Sequence, residues 1–461
     1  MGPKIDYAAV LKMALSNGGE YADVFLEQSA PFALVCEDGR LEKAVSGLDC
    51  GAGVRLMFGM KTAYAYTNVL TTDSLLEVAR AVRQAAGAGS RELHIDMRRT
   101  HGVHHAPLQK PPEQVATAKK AALVLEADRI ARAVDRRIRQ VLVSYREHRQ
   151  QVVIASSDGG IGEDDRSYLT AVVQVIASGG DAVQTGYEPL GGNTGMELFD
   201  HDALSRAAET AARRAILMLG ARKAPAGRMP VVLSSEAGGT MIHEAVGHGL
   251  EADLAQAGLS VYSGRKGERI ASPLITVLDD ATLSGRRGSF AVDDEGTGAQ
   301  RTVLVDKGIL KTFLYDRLTA LKDGARSTGN GRRESYKSRP IPRMTNTMIA
   351  PGETDPRTIL GETGSGLFVK KMGGGQVNTV NGDFVFEVSE GYLIEGGVAG
   401  EPVRGATLTG NGPQVLLAID RVGSDLGFSI GTCGKDGQGA PVSDAQPTIR
   451  IPEITVGGVV D

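Results

Sequence analysis

Glycine fills 60 of the 461 positions, about 13% against an average near 7%, and it is concentrated in the second half of the chain. At that density the chain is cut into short runs. From residue 274 onward, apolar stretches at 274–279, 303–306, 384–388, 392–395 and 414–418 sit between glycine turns. These stretches are expected to be strands, and the glycines to mark turns and close backbone approaches, not disorder. The first half reads differently. An amphipathic helix at 7–17 precedes strand patterns at 21–27, 32–37, 41–46, 53–58 and 63–67, separated by turns such as Asp38-Gly39. Helical spacing follows at 73–86, then at 113–137. Strands at 140–146, 151–156, 170–177 and 182–188 lead to a second long helix at 202–219. The fold class expected is α+β: a mixed strand-and-helix N-terminal half, then a glycine-rich, β-dominated C-terminal domain.

A length of 461 residues calls for two or three domains. Pro- and Gly-bearing stretches at 87–112 and 224–230 punctuate the pattern. The divisions expected are an N-terminal segment 1–90, a linker 91–112, a middle segment 113–223 and a C-terminal domain 224–461. A formal net charge of -4 argues against a general nucleic-acid binder. The basic stretch Arg129, Arg132, Arg136, Arg137 and Arg139 is interleaved with Glu126, Asp128 and Asp135, and so reads as a solvated or subunit-facing surface. No window has the ~18 uninterrupted apolar residues that a membrane helix requires. Asp6 and Lys12 interrupt the opening segment, which does not read as a signal peptide. Three cysteines, Cys36, Cys50 and Cys433, form no CxxC pair, and a reducing cytoplasm is the expected compartment; Cys36 and Cys50 are expected to be buried free thiols.

The segment Met241-Ile242-His243-Glu244-Ala245-Val246-Gly247-His248 carries the strongest chemical signal. Two imidazoles flank one carboxylate in a helical stretch, expected to end near residue 254, that follows directly on a strand at 231–234. Neutral imidazole is a preferred zinc ligand, and a Glu beside the first His is placed to polarise water. The spacing is HExxxH, one residue longer than the metalloprotease HExxH. Residues five apart on a regular α-helix diverge by about 140°, so His243 and His248 would face different ways. A π-type widening or a helix end at 245–248 would bring them together, and Gly247 loosens the backbone there. From eight His and 55 acidic residues in 461, chance gives about 0.02 such matches. A third ligand is needed. Cys433, in Gly431-Thr432-Cys433-Gly434-Lys435-Asp436-Gly437, offers a thiolate in a glycine-flanked loop, but a lone Cys is equally read as a small buried hydrophobe. His101, His104 and His105 lie in the Pro/Gly-rich linker without acidic support and are expected to be loop residues. Gly373-Gly374-Gly375 and Gly296-Thr297-Gly298 lack phosphate-loop spacing and are expected to be packed backbone turns.

The run His243-Glu244-Ala245-Val246-Gly247-His248-Gly249-Leu250-Glu251-Ala252-Asp253 resembles the signature of the TldD/PmbA metalloproteases, on the TldD side. The likeness continues through Val292-Asp293-Asp294-Glu295-Gly296-Thr297, Thr328-Gly329-Asn330-Gly331-Arg332-Arg333-Glu334-Ser335 and Pro342-Arg343-Met344-Thr345-Asn346-Thr347. Gly373-Gly374-Gly375-Gln376-Val377, Gly405-Ala406-Thr407-Leu408 and Gly431-Thr432-Cys433-Gly434-Lys435-Asp436-Gly437-Gln438 complete it. The resemblance implies that His243, His248 and Cys433 bind Zn2+ and that Glu244 is the general base. It also implies a peptidase acting on peptides or unfolded segments, in a homodimer or a heterodimer with a PmbA/TldE-type paralogue, without nucleic-acid or membrane partners. A helper for the oxyanion is expected among Arg332, Arg333, Tyr336 and Arg343, each of which could equally make a structural ion pair. Two rivals remain at this level: a non-catalytic peptide-binding or assembly subunit with a structural zinc site, and a zinc hydrolase of small amides.

Overall fold

A computed structural model describes residues 4–86, 95, 97–99, 107–180 and 182–458. The fold is α+β; among the described residues three sheets of six or more strands carry it, beside a two-stranded pairing of Gly331–Arg332 with Ile341–Pro342. The first sheet draws strands from both the N-terminal and the middle segments. Its centre is the antiparallel pair Tyr21–Glu37 and Ile138–Ser156, joined residue by residue from Asp23↔Ser156 to Glu37↔Leu142. Asp49–Phe58 and Lys61–Thr67 extend it on one side, Gly160–Gly179 and Ala182–Asn193 on the other. Several stretches expected as pairs of short strands are single long ones, because the polar residues between them lie on a two-sided sheet and do not end it.

Helices cover this sheet at both ends. Tyr7–Leu15 and Thr72–Arg83 bury Val10, Leu11, Leu75 and Ala79 against Val24, Val54 and Leu56. Thr117–Ala133 and Ala203–Gly220 bury Val124, Ala127, Ala208 and Ala212 against Val141, Val143 and Val173. The alanine-rich face of Ala203–Gly220 packs very closely on its sheet. A Cβ at Gly186 would stand 1.8 Å from the Ala211 carbonyl oxygen.

The C-terminal half holds the largest core and the two other large sheets. In one, Gly227–Leu233 lies between Ser365–Val377, parallel, and Ile449–Gly457, antiparallel. In the other, Asn346–Ile349 runs parallel to Gln438–Gln446, and the hairpin partner Gly427–Lys435 forms the edge. Two expectations are corrected here. Residues 414–418 belong to a helix, Gly412–Ala418, not a strand: Pro413 in its first turn is preorganised for a helix start, and so short an apolar run has no decisive period. The helical stretch expected to run on to residue 254 breaks at Glu251, which is extended, before Ala252–Gln256 resumes. Gly373-Gly374-Gly375 lies in the strand Ser365–Val377 at an irregularity in pairing, where a Cβ on Gly375 would meet the Phe386 ring at 1.8 Å. The linker histidines His101, His104 and His105 lie outside the described residues.

The loop bearing Asp293, Asp294 and Glu295 clamps the C-terminal half to the first sheet through buried charges. Arg55 bridges Asp23, at 2.7 Å from Nε, and Glu295, at 2.6 Å from Nη1. Arg166 bridges Asp164 and Asp294 at 2.9 and 2.7 Å. Arg333 donates to the Asp294 carbonyl at 2.8 Å and lies over the Phe25 ring. With all three side chains of the Asp23–Arg55–Glu295 group out of water, removing the cation strands two carboxylates. Arg55→Ala is therefore expected to lower stability by about 3–5 kcal/mol, read as a drop in denaturation midpoint; a change within about 0.5 kcal/mol would show that water reaches the group.

Candidate metal centre

The strand Gly227–Leu233 delivers the chain to a short helical passage whose geometry is set by one wide turn. Thr240–Ile242 is α-helical, His243–Gly247 is a π-helical turn, and His248–Leu250 tightens to 3-10. The His248 N–H donates to the His243 carbonyl, five residues back, so the extra residue of HExxxH is absorbed in the backbone. The turn is wedged from outside. Tyr262 donates its hydroxyl to the Ala245 carbonyl at 3.1 Å, and Gly247 sits so close to Met344 that a Cβ would stand 2.0 Å from its sulfur. The two imidazoles consequently face one another, ring centroids 5.0 Å apart and planes perpendicular.

Cys433 reaches the same point from the edge strand Gly427–Lys435. Its Sγ lies 3.2 Å from His243 Nε2 and 3.3 Å from His248 Nε2, and the three donor atoms fall within 4.8 Å of one another. Each imidazole is held from behind. His243 Nδ1 is 2.7 Å from Asp444 Oδ1, and His248 Nδ1 is 3.0 Å from Glu251 Oε2. A carboxylate on Nδ1 leaves the Nε2 lone pair for a cation, which is how metal-binding histidines are oriented. One hairpin thus supplies both the thiol and the carboxylate behind His243.

The electrostatics favour a divalent cation. Burial would push the Cys433 thiol up, but hydrogen bonds from His243 and His248 outweigh it and bring the pKa down to about 6. Burial acts against charge on His248 as well, yet Glu251 and the Cys433 sulfur raise its pKa to about 10; Asp444 and Cys433 likewise raise that of His243. Glu251 is fully buried, but its contacts with His248 and Lys435 hold its pKa at about 2. The protons that this anionic setting draws onto the imidazoles occupy the positions a metal takes. Two imidazole nitrogens and one thiolate form a soft-to-borderline donor set suited to zinc.

Glu244 is half-buried and lines, with His243, His248 and Cys433, a cavity of about 610 Å³. None of the oxyanion candidates Arg332, Arg333, Tyr336 and Arg343 lines that cavity. Arg332 donates to the Met344 carbonyl at 2.6 Å, and Tyr336 reaches Asp49. Arg343 donates to the backbone carbonyls of Cys433 and Gln438, fixing the thiol's strand. Sequence reasoning gave no role to Asp444, Glu251 or Lys435. Glu251, one helical turn after His248, carried a local signal; Asp444, 201 residues from His243, carried none. Cys36 is a buried free thiol as expected, whereas Cys50 is only half-buried.

Because metal binding requires deprotonated donors, loading a divalent metal ion near pH 7 is expected to release about two protons per ion, one from each imidazole. The sign follows from the raised histidine values: affinity falls as pH falls, and more steeply below about 6, where Cys433 also takes up a proton. Calorimetry in buffers of different ionisation heat reads this count. Release of no protons would mean that the imidazoles are already neutral. Asp444→Asn is expected to weaken divalent-metal binding about 10–100-fold, measured against a competing chelator.

Sequence comparison places these features in a family. Residues 22–86, 110–219 and 226–458 match, in turn, domain 1, the central domain and the C-terminal domain of the PmbA/TldA metallopeptidases. The metalloprotease TldD homologue of Haemophilus influenzae is 39% identical over 448 residues, covering 95% of this chain and 93% of its own. A metalloprotease of Methanothermobacter thermautotrophicus is 33% identical, covering 98% and 99%. Two solved structures share the fold: a Thermotoga maritima protein with TM-score 0.78, 21% identity and 95% and 96% coverage, and TldE from Thermococcus kodakarensis with TM-score 0.75, 17% identity and 95% and 97% coverage. With all three domains matched in order and a relative nearly two-fifths identical along almost its whole length, this chain belongs to the TldD/PmbA family of metallopeptidases.

Proposed function

We propose that this chain is a zinc-dependent peptidase that hydrolyses peptides or unfolded polypeptide segments, with His243, His248 and Cys433 as metal ligands and Glu244 as general base. The observation that carries the reading is the convergence of two Nε2 atoms and one Sγ at the wall of a cavity that Glu244 also lines. Zinc held by these three donors would supply Lewis-acid polarisation of a scissile carbonyl and of water. Glu244 takes the proton of the attacking water and returns it to the leaving amine. Asp444 and Glu251 keep both imidazoles in the tautomer that presents Nε2 to the metal. A structural zinc site closes on four protein ligands; three donors beside a cavity and an adjacent carboxylate favour catalysis over the assembly-subunit reading.

The edge strand Gly427–Lys435, which carries Cys433, has an unpaired side on which an extended peptide can add by main-chain hydrogen bonds, indifferent to its side chains. We place the enzyme in the cytoplasm, acting as a homodimer or with a TldE-type relative. No helix among the described residues is long and apolar enough to cross a membrane. Glu244→Gln is expected to lower peptide turnover by at least about 10²–10⁴-fold while zinc stays bound at one ion per chain. Digestion of unfolded peptides followed by mass spectrometry, with metal analysis of the same samples, checks both halves; undiminished cleavage would remove Glu244 from the chemistry.

A further inference from the structure

A second cavity, of about 620 Å³, adjoins the metal-side cavity. The two share the strand residues Ile430, Gly431 and Thr432, immediately before Cys433. Their charges are opposite. The metal side carries Glu244, Glu387 and Asp444, and its one lysine, Lys371, is paired with Glu188 at 3.5 Å. The second cavity presents Arg146 and Arg287, and its only carboxylate, Glu147, is already bonded to Lys120 and Tyr145.

Arg287 is the unusual group. Its Nε donates to the Gly431 carbonyl at 3.2 Å, its Nη2 lies 3.4 Å from Thr432 Oγ1, and the guanidinium stands 5.7 Å from the centre of the Tyr168 ring. Its backbone N–H is anchored on Ser443 Oγ at 3.0 Å, next to Asp444. Among the described residues no carboxylate pairs with Arg287 or with Arg146, and nothing accepts from Arg287 Nη1. Burial, with further like charge from Arg332 and Arg146, pulls the Arg287 pKa below the ordinary arginine value. His148, on the same wall, is held towards its neutral form by burial and by Arg287 and Arg166. Arg287 is a half-buried cation without a carboxylate partner among the described residues; it faces a cavity, is positioned by the strand that carries Cys433, and so is placed to receive an anion.

We propose that this second cavity is a substrate subsite that takes a peptide carboxylate, bound by Arg287 with Arg146 as the outer cation. Arg287 is bonded at Gly431 and Thr432, so the carboxylate lies within about three residues of the bond cut, at about 3.3 Å per extended residue. A free C-terminus and an Asp or Glu side chain present the same chemistry to a guanidinium fork, and the subsite accepts either by its carboxylate. The inference rests on the peptidase reading and narrows it, from peptides in general to peptides bearing a negative charge close to the cleavage site.

The test uses the zinc-loaded Glu244→Gln protein and dye-labelled neutral hexapeptides in three forms: C-terminal amide, free C-terminal carboxylate, and amide with one glutamate walked along the chain. Fluorescence anisotropy is expected to show a carboxylate form binding about 10- to 100-fold more tightly than the neutral amide. The free-acid and glutamate forms identify which source is preferred. Arg287→Gln should erase the advantage, Arg287→Lys should restore part of it, and Arg146→Gln, a change at an exposed position, should reduce it. Equal affinity for charged and neutral forms, or no binding of any form, overturns the subsite. The two readings fail separately. Cleavage by the Glu244-containing protein that ignores peptide charge leaves the peptidase and removes the subsite. Arg287-dependent carboxylate binding without any cleavage does the reverse.

Discussion

The site hangs on the five-residue turn between His243 and His248. On an ordinary α-helix these rings would diverge by about 140° and could not share an ion. The π-helical hydrogen bond from His248 to His243 returns them to one side, and the surroundings hold the turn in place. Tyr262 satisfies the Ala245 carbonyl, and Met344 and Gly412 pack so closely that neither Gly247 nor Gly412 has room for a side chain. The wide turn is less favourable than a regular helix when isolated, so it persists because the largest core of the protein closes around it.

Everything else at the site is arranged relative to that turn. The hairpin Gly427–Gln446 brings Cys433 to one side of the rings and Asp444 to the other side of His243. Arg343 grips the Cys433 carbonyl, and Glu251, the residue at which the helical passage breaks, folds back to His248. Asp444 and Glu251 play matching parts from unrelated segments. Glu251 stands three residues after His248, a spacing that keeps the two side chains within reach of one another, and the break there turns the chain into Ala252–Gln256.

Much of this was legible in the sequence, and the limit lies where contacts become long-range. The α+β class, the helices at both ends of the first sheet and the non-regular helix at 245–248 follow from local periodicity, glycine placement and the count of residues between two histidines. The family resemblance pointed to Cys433, which the residues alone left open between a ligand and a buried hydrophobe. Asp444 could not be read, because one aspartate in a strand has no period and its partner is 201 residues away. Arg332, Arg333, Tyr336 and Arg343 crowd a polar, glycine-rich stretch, which suggested chemistry. In the folded chain they spend their hydrogen bonds on backbone and on the clamp between halves, an outcome fixed by Asp294, Phe25 and the Cys433 carbonyl and invisible locally. The segment 414–418 was misread for the opposite reason. Five residues without a decisive period leave helix or strand to the proline ahead of them.

The central claim is that two imidazole nitrogens and one cysteine sulfur from distant segments bind a single zinc ion. X-ray absorption at the zinc edge of the loaded protein addresses it most directly. The account predicts one sulfur at about 2.3 Å and two imidazole nitrogens at about 2.0–2.1 Å, with the sulfur shell lost in Cys433→Ser. A first shell of nitrogen and oxygen alone in the unsubstituted protein would contradict it.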